Sequence, residues 1–193
     1  MINENLAYLS VLPLEDLKIE RSSFSCSVEP LEKYFHKYVS QDVKKGLAKC
    51  FVLINEQQSR IVGYYTLSAL SIPITDIPQE RISKGVPYPN IPAVLIGRLA
   101  IDTNFQKQGY GKFLIADAIH KIKNATVAAT ILVVEAKNDD ASSFYERLGF
   151  IEFKEFGGTH RKLFLSANKI NKIDENPLLR GDFHLCYKYT KYY

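Results

Sequence analysis

The sequence predicts a mixed α/β fold, a central sheet with helices packed on it. An early pair of strand-like runs, 50–55 and 61–68, flanks the polar stretch Glu56-Gln57-Gln58-Ser59-Arg60, the pattern of a hairpin. Between residues 93 and 135 a strand, a helix and a second strand follow in succession. Hydrophobic residues make up 46% of the chain and charged residues 24%, so there is material for a sizeable core under a soluble surface.

Leu31, Tyr34, Phe35, Tyr38 and Val39 recur at three and four, which predicts one apolar face of a helix over 28–45. Its other face carries Glu32, Lys33, Lys37 and Gln41, with Lys44 and Lys45 near the end. After the hairpin, 71–92 holds Pro73, Pro78, Pro87, Pro89 and Pro92 and reads as an irregular connection. Residues 93–101 form an apolar strand interrupted by Gly97 and Arg98. A helix follows Gln108-Gly109-Tyr110-Gly111 and runs to about Lys123, burying Leu114, Ile115, Ala118, Ile119 and Ile122 with Asp117 and Lys121 facing away. The apolar run 127–135 has the length of a central strand, and a short helix over 139–148 ends at Gly149, a suitable C-cap. Strands are expected at 150–155 and 161–165, and Phe183, Leu185, Tyr187 and Tyr189 alternate as in one more.

The length of 193 residues fits one domain, with or without a small appendage. A formal charge of +4 permits an anionic partner without requiring one. The three cysteines are too widely spaced for a disulfide framework or a zinc half-site. His184-x-Cys186, with His160 elsewhere, falls short of a metal site, so no metal is expected. The N-terminus lacks a signal pattern, and no apolar run approaches the roughly 20 residues that span a bilayer. A cytoplasmic location is the simplest expectation.

The chemistry is concentrated in Ile96-Gly97-Arg98-Leu99-Ala100-Ile101-Asp102 and Gln106-Lys107-Gln108-Gly109-Tyr110-Gly111-Lys112. Glycines where a helix begins let the backbone approach an anion, which unpaired amides and the helix dipole then hold. On Gly-x-Gly alone, a plain helix start with a tight turn is the better reading. No P-loop Lys-Ser/Thr and no third glycine of a dinucleotide fingerprint follow. A second stretch, Asn138-Asp139-Asp140-Ala141-Ser142-Ser143-Phe144-Tyr145-Glu146-Arg147-Leu148-Gly149-Phe150, comes after the next strand.

Together the two stretches resemble the GNAT acetyltransferase superfamily. Gln106, Gly109 and Gly111 match its pyrophosphate loop, and Asn138, Phe144, Tyr145, Gly149 and Phe150 match its second segment. The resemblance implies a GNAT fold, a mixed sheet in which two parallel strands splay around the pantetheine arm of acetyl-CoA. It assigns cofactor contacts to Leu99, Ala100, Ile101, Gln106, Lys107, Gln108, Gly109, Tyr110, Gly111, Lys112, Asn138 and Ser143. It also assigns Tyr145 as the proton donor to the leaving thiolate, where a packed aromatic beside Phe144 is the structural alternative.

Upstream, Phe24-Ser25-Cys26, Leu31-x-x-Tyr34-Phe35, Ile61-Val62-Gly63-Tyr64-Tyr65-Thr66-Leu67-Ser68 and Leu95-Ile96-Gly97-Arg98-Leu99-Ala100 are similar to the acetyltransferase toxins of bacterial toxin–antitoxin pairs, as is Lys162-Leu163-Phe164-Leu165. That resemblance covers about residues 8–170. It implies a catalytic domain over 1–170, an extension over 171–193, a homodimer and a cognate antitoxin. The acceptor it implies is the α-amine of an aminoacyl-tRNA. Such an amine has a pKa of about 7.7–8.0, lowered further by the ester, and makes little demand for a general base. Arg98, Lys33, Lys37, Lys44 and Lys45 are the candidate tRNA contacts, with Lys49, Arg81 and Lys84 as further cations. Two alternatives stand beside this reading: acetylation of a small amine or protein N-terminus, and a non-catalytic acetyl-CoA-binding regulatory module.

Overall fold

The expected hairpin forms from β2 (Lys49–Asn55) and β3 (Arg60–Pro73), antiparallel from Asn55↔Arg60 to Lys49↔Leu67. Asn55 closes the turn by accepting the Gln58 amide at 3.0 Å. The computed structural model describes residues 8–78, 86–153 and 161–166. β1 (Leu9–Pro13) pairs with the outer edge of β2, and β4 (Asn90–Ile101) pairs antiparallel with β3. β5 (Ile131–Ala136) lies parallel to β4. β7 (Arg161–Ser166) is antiparallel to β5 and carries β6 (Ile151–Glu152) on its far side. The seven strands run in the order β1-β2-β3-β4-β5-β7-β6. This is the mixed sheet that the sequence predicts.

α1 (Glu29–Lys33) leads through a π-helical turn, Tyr34–Tyr38, into α2 (Val39–Lys44). α3 (Tyr110–Lys123) and α4 (Asp139–Arg147) complete the helices that position the site. Two cores follow from the two faces of the sheet. On one, Leu114, Ile115 and Ile119 of α3 are fully buried against Val62, Tyr65, Leu132, Val134 and Leu163. On the other, Phe35 and Val39 meet Phe24, Cys50, Val52 and Tyr64. Farther along that second face, Ile72, Ile91, Ile131, Val133 and Phe164 form a third cluster.

Several sequence expectations are corrected. The helix over 28–45 is not one regular α-helix. Its π turn adds a residue to the spiral, so Phe35 and Val39 stay buried while Tyr38 rotates out to 45% exposure. The proline-rich stretch is strand at both ends, because β3 and β4 continue as a long ribbon to Pro73↔Asn90. Pro92 is tolerated there because it sits just before β5 begins. Its carbonyl accepts the Thr130 amide at 2.8 Å, and no ladder donor is needed at that point. β5 begins at Ile131, where it first meets β4 and β7, and Val127 lies 79% exposed. Asp117 does not face away. It is fully buried, accepting from the Tyr65 hydroxyl and from Lys121 Nζ at 3.1 Å. β1 was unforeseen, although Leu9 and Val11 alternate and are both buried. The strand expected over 150–155 is described only as β6, and residues 154–160 lie outside the described residues, as does the tail from 167 with its alternating aromatics.

Candidate active site

The site begins with an irregularity in β4. Thr66 faces Arg98, but the next residue of β3, Leu67, faces Ile96, so Gly97 has no opposite number. This β-bulge shifts the alternation of side chains by one. Val94 and Ile96 pack into the α3 core before it, and Leu99 and Ile101 do so after it. Arg98 and Ala100 therefore turn to the α1–α2 face, where Ala100 joins the core and Arg98 lies over the ring of Tyr34.

The same place ends the parallel ladder. β4 and β5 pair from Ala93↔Ile131 to Ile96↔Val134, yet β4 runs on to Ile101 and β5 to Ala136. Past the bulge the two strands part, which opens a cleft at the carboxyl ends of adjacent parallel strands, where α/β sheets characteristically take ligands. The Asp102 amide donates to the Val62 carbonyl at 2.9 Å, so alternation turns the backbone groups of Leu99 and Ile101 toward the cleft and those of Ala100 toward β3. The Ile101 carbonyl accepts Gln106 Nε2 at 3.1 Å, which agrees with that orientation.

The loop from β4 to α3 is held by side chains. Buried Asp102 accepts the amides of Asn104 at 3.0 Å and Ser25 at 3.1 Å. Gln106 Nε2 also donates to the Cys26 carbonyl at 3.2 Å. Lys107 and Gly109 both have positive φ, 61° and 91°, and Gly109 is the N-cap of α3. A Cβ at Gly109 would meet nothing within 4 Å, so glycine is there for its left-handed backbone and not for want of room. The first amides of α3, from Tyr110 to Lys112, lack intrahelical partners and point out of the helix start. Tyr110 is buried edge-on to Phe105, while Gln108 and Lys107 are exposed and Lys112 is half-buried. Gly111 brings α3 close to α4, since a Cβ there would reach 3.4 Å from the Phe144 ring.

α4 starts just past the end of β5. Asn138 caps it, accepting the Ala141 amide at 2.8 Å, and Ser143 is exposed in its second turn. Tyr145 is 8% exposed, between the rings of Phe144 (5.2 Å) and Phe150 (5.5 Å). Burial pushes its phenol up to about 12. Opposite, across the sheet, the Arg98 guanidinium carbon lies 3.5 Å from the Tyr34 ring centroid, and the Tyr34 hydroxyl donates to Asp42 at 3.0 Å. Burial first, then the bond to Asp42, raises the Tyr34 phenol to about 12.

The structure thus brings Leu99, Ile101, the 106–112 loop, Asn138 and Tyr145 around one end of the sheet and directs Ala100 away from the cleft. Lys33, Lys37, Lys44 and Lys45 are all exposed on α1, the π turn and α2 or just beyond it. Lys49 lies 3.5 Å from Glu15. Arg81, Lys84, His160, His184 and Cys186 are outside the described residues. Among the described residues no group of three or more His, Cys, Asp or Glu is placed to hold a metal. No helix among them is long and apolar enough to cross a membrane. Sequence reasoning assigned no role to Asp102 or to Tyr34 as a partner of Arg98. An Asp followed two residues later by Asn, at a strand end, was the available signal for the first.

A sheet that splays at a bulge, a glycine-started helix at its mouth and a buried tyrosine on the next helix define an acyl-CoA-type transferase. Residues 23–158 match the acetyltransferase (GNAT) domain family, and the chain belongs to it. The tRNA-acetylating toxin of Mycobacterium tuberculosis is 32% identical over 131 residues, 67% of this chain and 76% of that protein. The structure of AtaT complexed with acetyl-methionyl-tRNAfMet superposes with a TM-score of 0.77 at 30% identity, covering 86% of this chain and 98% of that one. A tyrosine-to-phenylalanine AtaT variant, bound to the C-terminus of the antitoxin AtaR and acetyl-CoA, gives 0.70 at 28% identity, covering 86% and 98%.

Proposed function

We propose that this protein is a toxin that moves an acetyl group from acetyl-CoA to the α-amine of an aminoacyl-tRNA, so that the blocked amine no longer forms a peptide bond. The observation that carries the proposal is the parting of β4 from β5 beyond Ile96↔Val134, with Tyr145 in the core on one face of the sheet and Arg98 on the other face. The site fits acetyl-CoA on its own geometry. The cleft-facing backbone of Leu99 and Ile101 offers a strand edge to an amide-bearing arm. The open space over Gly109 and the free amides of Tyr110, Gly111 and Lys112 suit a pyrophosphate, with Gln106, Lys107, Gln108 and Lys112 around it. Asn138, the N-cap of α4, and Ser143, exposed in its second turn, are the further cofactor contacts of this reading.

Bound acetyl-CoA supplies the acetyl group as a thioester. Tyr145 stays protonated at neutral pH, as a proton donor must. A free thiol has a pKa of about 8.5, but the burial that raises the phenol also raises a thiol leaving beside it, which narrows the gap. Arg98 and the lysines of α1 and α2 serve the anionic acceptor from the opposite face. Similarity to AtaT bound to tRNA and to an antitoxin supports the acceptor and a cognate antitoxin here. The reading extends to a cytoplasmic homodimer with its catalytic domain in 1–170 and an extension in 171–193. Incubation with labelled acetyl-CoA and charged or deacylated tRNA tests it: label is expected on charged tRNA alone. Transfer to deacylated tRNA, polyamines or protein instead would refute it.

A further inference from the structure

We infer that Tyr34 is a positioning residue for the acyl acceptor: its ring holds the Arg98 guanidinium flat at the cleft, and the π turn and Asp42 hold the ring. This rests on the proposed acceptor reading and adds a residue to it.

Three independent features converge on Tyr34. First, the bulge at Gly97 is what turns Arg98 onto the α1–α2 face; without it the alternation of β4 would send Arg98 into the α3 core. Second, the Arg98 guanidinium carbon lies 3.5 Å from the Tyr34 ring centroid, much closer than the other cation–ring pairs of the described residues, at 4.9 to 5.7 Å, and at that distance only a roughly parallel guanidinium avoids driving its nitrogens into the ring. Third, Tyr34 begins the π turn and is fixed at its far end by the 3.0 Å bond to Asp42 of α2. A π turn interrupts a helix at a cost and recurs at functional sites.

A guanidinium stacked on a ring keeps its in-plane N–H fork free. Such a fork recognises phosphate or an ester oxygen, and immobilising it beforehand removes part of the entropic cost of binding. Arg98 is half-buried on the face opposite α3 and Tyr145, so it is not sealed off from an acceptor arriving on that face. A donor held over α3 and an acceptor held by Arg98 then approach the opening from opposite sides.

The test is steady-state kinetics on the purified full chain with charged tRNA varied at saturating acetyl-CoA. Tyr34→Leu is expected to raise KM for charged tRNA about tenfold, with KM for acetyl-CoA unchanged. Arg98→Gln should show the same pattern, and the double variant should be no worse than Arg98→Gln alone. If Tyr34→Leu fails to fold, Tyr34→Phe and Tyr34→pentafluorophenylalanine replace it, since both keep the ring and only the second cancels its negative face. Tyr34→Phe should then bind charged tRNA several-fold more tightly than the fluorinated variant. An unchanged KM for charged tRNA in Tyr34→Leu, additive losses in the double variant, or equal binding by the two ring variants overturns the inference. Absence of acetyl transfer to charged tRNA by the wild type is a different result and overturns the acceptor reading instead.

Discussion

The side-chain amide of Gln106 donates 3.1 Å to the carbonyl of Ile101, tying the loop before α3 to the last residue of β4. Its second bond, 3.2 Å to the Cys26 carbonyl, joins both to the segment that precedes α1. Gln106→Leu removes both bonds from an exposed side chain. At roughly 1 kcal/mol per net hydrogen bond the folded loop loses up to about 2 kcal/mol of order, so acetyl-CoA affinity should fall about five- to tenfold, because the loop must be reordered on binding, and the melting temperature by a few degrees. Calorimetric titration with acetyl-CoA measures the first and a thermal scan the second; an unaltered Kd would remove Gln106 from the cofactor loop.

Tyr145→Phe keeps the ring between Phe144 and Phe150 and deletes only the hydroxyl. Fold and acetyl-CoA affinity should be retained, while kcat falls about 10²- to 10⁴-fold, the usual contribution of a positioned proton donor. Retained turnover would leave Tyr145 a packing residue only.

Burial also makes stability sensitive to alkali. The thiol of Cys50 is raised from 9.0 to about 12 by burial, and the phenols of Tyr145 and Tyr34 from 10.0 to about 12. The folded state keeps these protons where the unfolded chain has lost them, so folding stability is fully present below about pH 9 and declines toward pH 12. Each group contributes a slope of up to about 1.4 kcal/mol per pH unit inside its window. Urea unfolding at stepped pH measures the slope, and Tyr145→Phe should flatten it above pH 10.

Asp117 makes stability sensitive to substitution at a single buried position. It is a fully buried carboxylate taking bonds from Tyr65 and Lys121, whose ammonium also sits 4.9 Å from the Phe51 ring. Asp117→Ala removes the acceptor of both and leaves a half-buried cation without its carboxylate, a change expected to cost about 3 kcal/mol. Asp117→Asn should cost less, because an oxygen acceptor remains. Equal midpoints for the two variants in chemical denaturation would contradict this account.

Local signals in the sequence predicted what local physics controls. The period of Leu114, Ile115, Ala118, Ile119 and Ile122 placed α3, and the polar break 56–60 placed the hairpin. Features decided by distant partners escaped. Asp117 looks like a solvent residue until Tyr65, 52 positions earlier, arrives beneath it. The strand ends at Pro73 and Asn90 depend on each other across the intervening connection. Gly97 and Arg98 were visible as an interruption, but only the register against Thr66 and Leu67 reveals a bulge. Likewise Tyr34 reads as one more apolar-face residue, since nothing local shows that the interruption in β4 delivers Arg98 onto its ring.

Acceptor binding through phosphates leaves a salt signature at the lysines of the α1–α2 face. Lys33 and Lys37 flank Tyr34 in sequence, are exposed, and form no ion pair among the described residues. Each phosphate they neutralise releases condensed counterion, so the slope of log K against log salt should shrink by about 0.7 to 0.9 per lysine removed. Lys33→Gln/Lys37→Gln should therefore weaken charged-tRNA binding most at low salt and converge with wild type as salt rises. Acetyl-CoA affinity should not change, since both side chains lie on the face away from α3. Filter binding across a salt series reads the slope directly. A parallel displacement of the two lines, with no change in slope, would mean that these lysines are a solvated surface and that the phosphates are bound elsewhere.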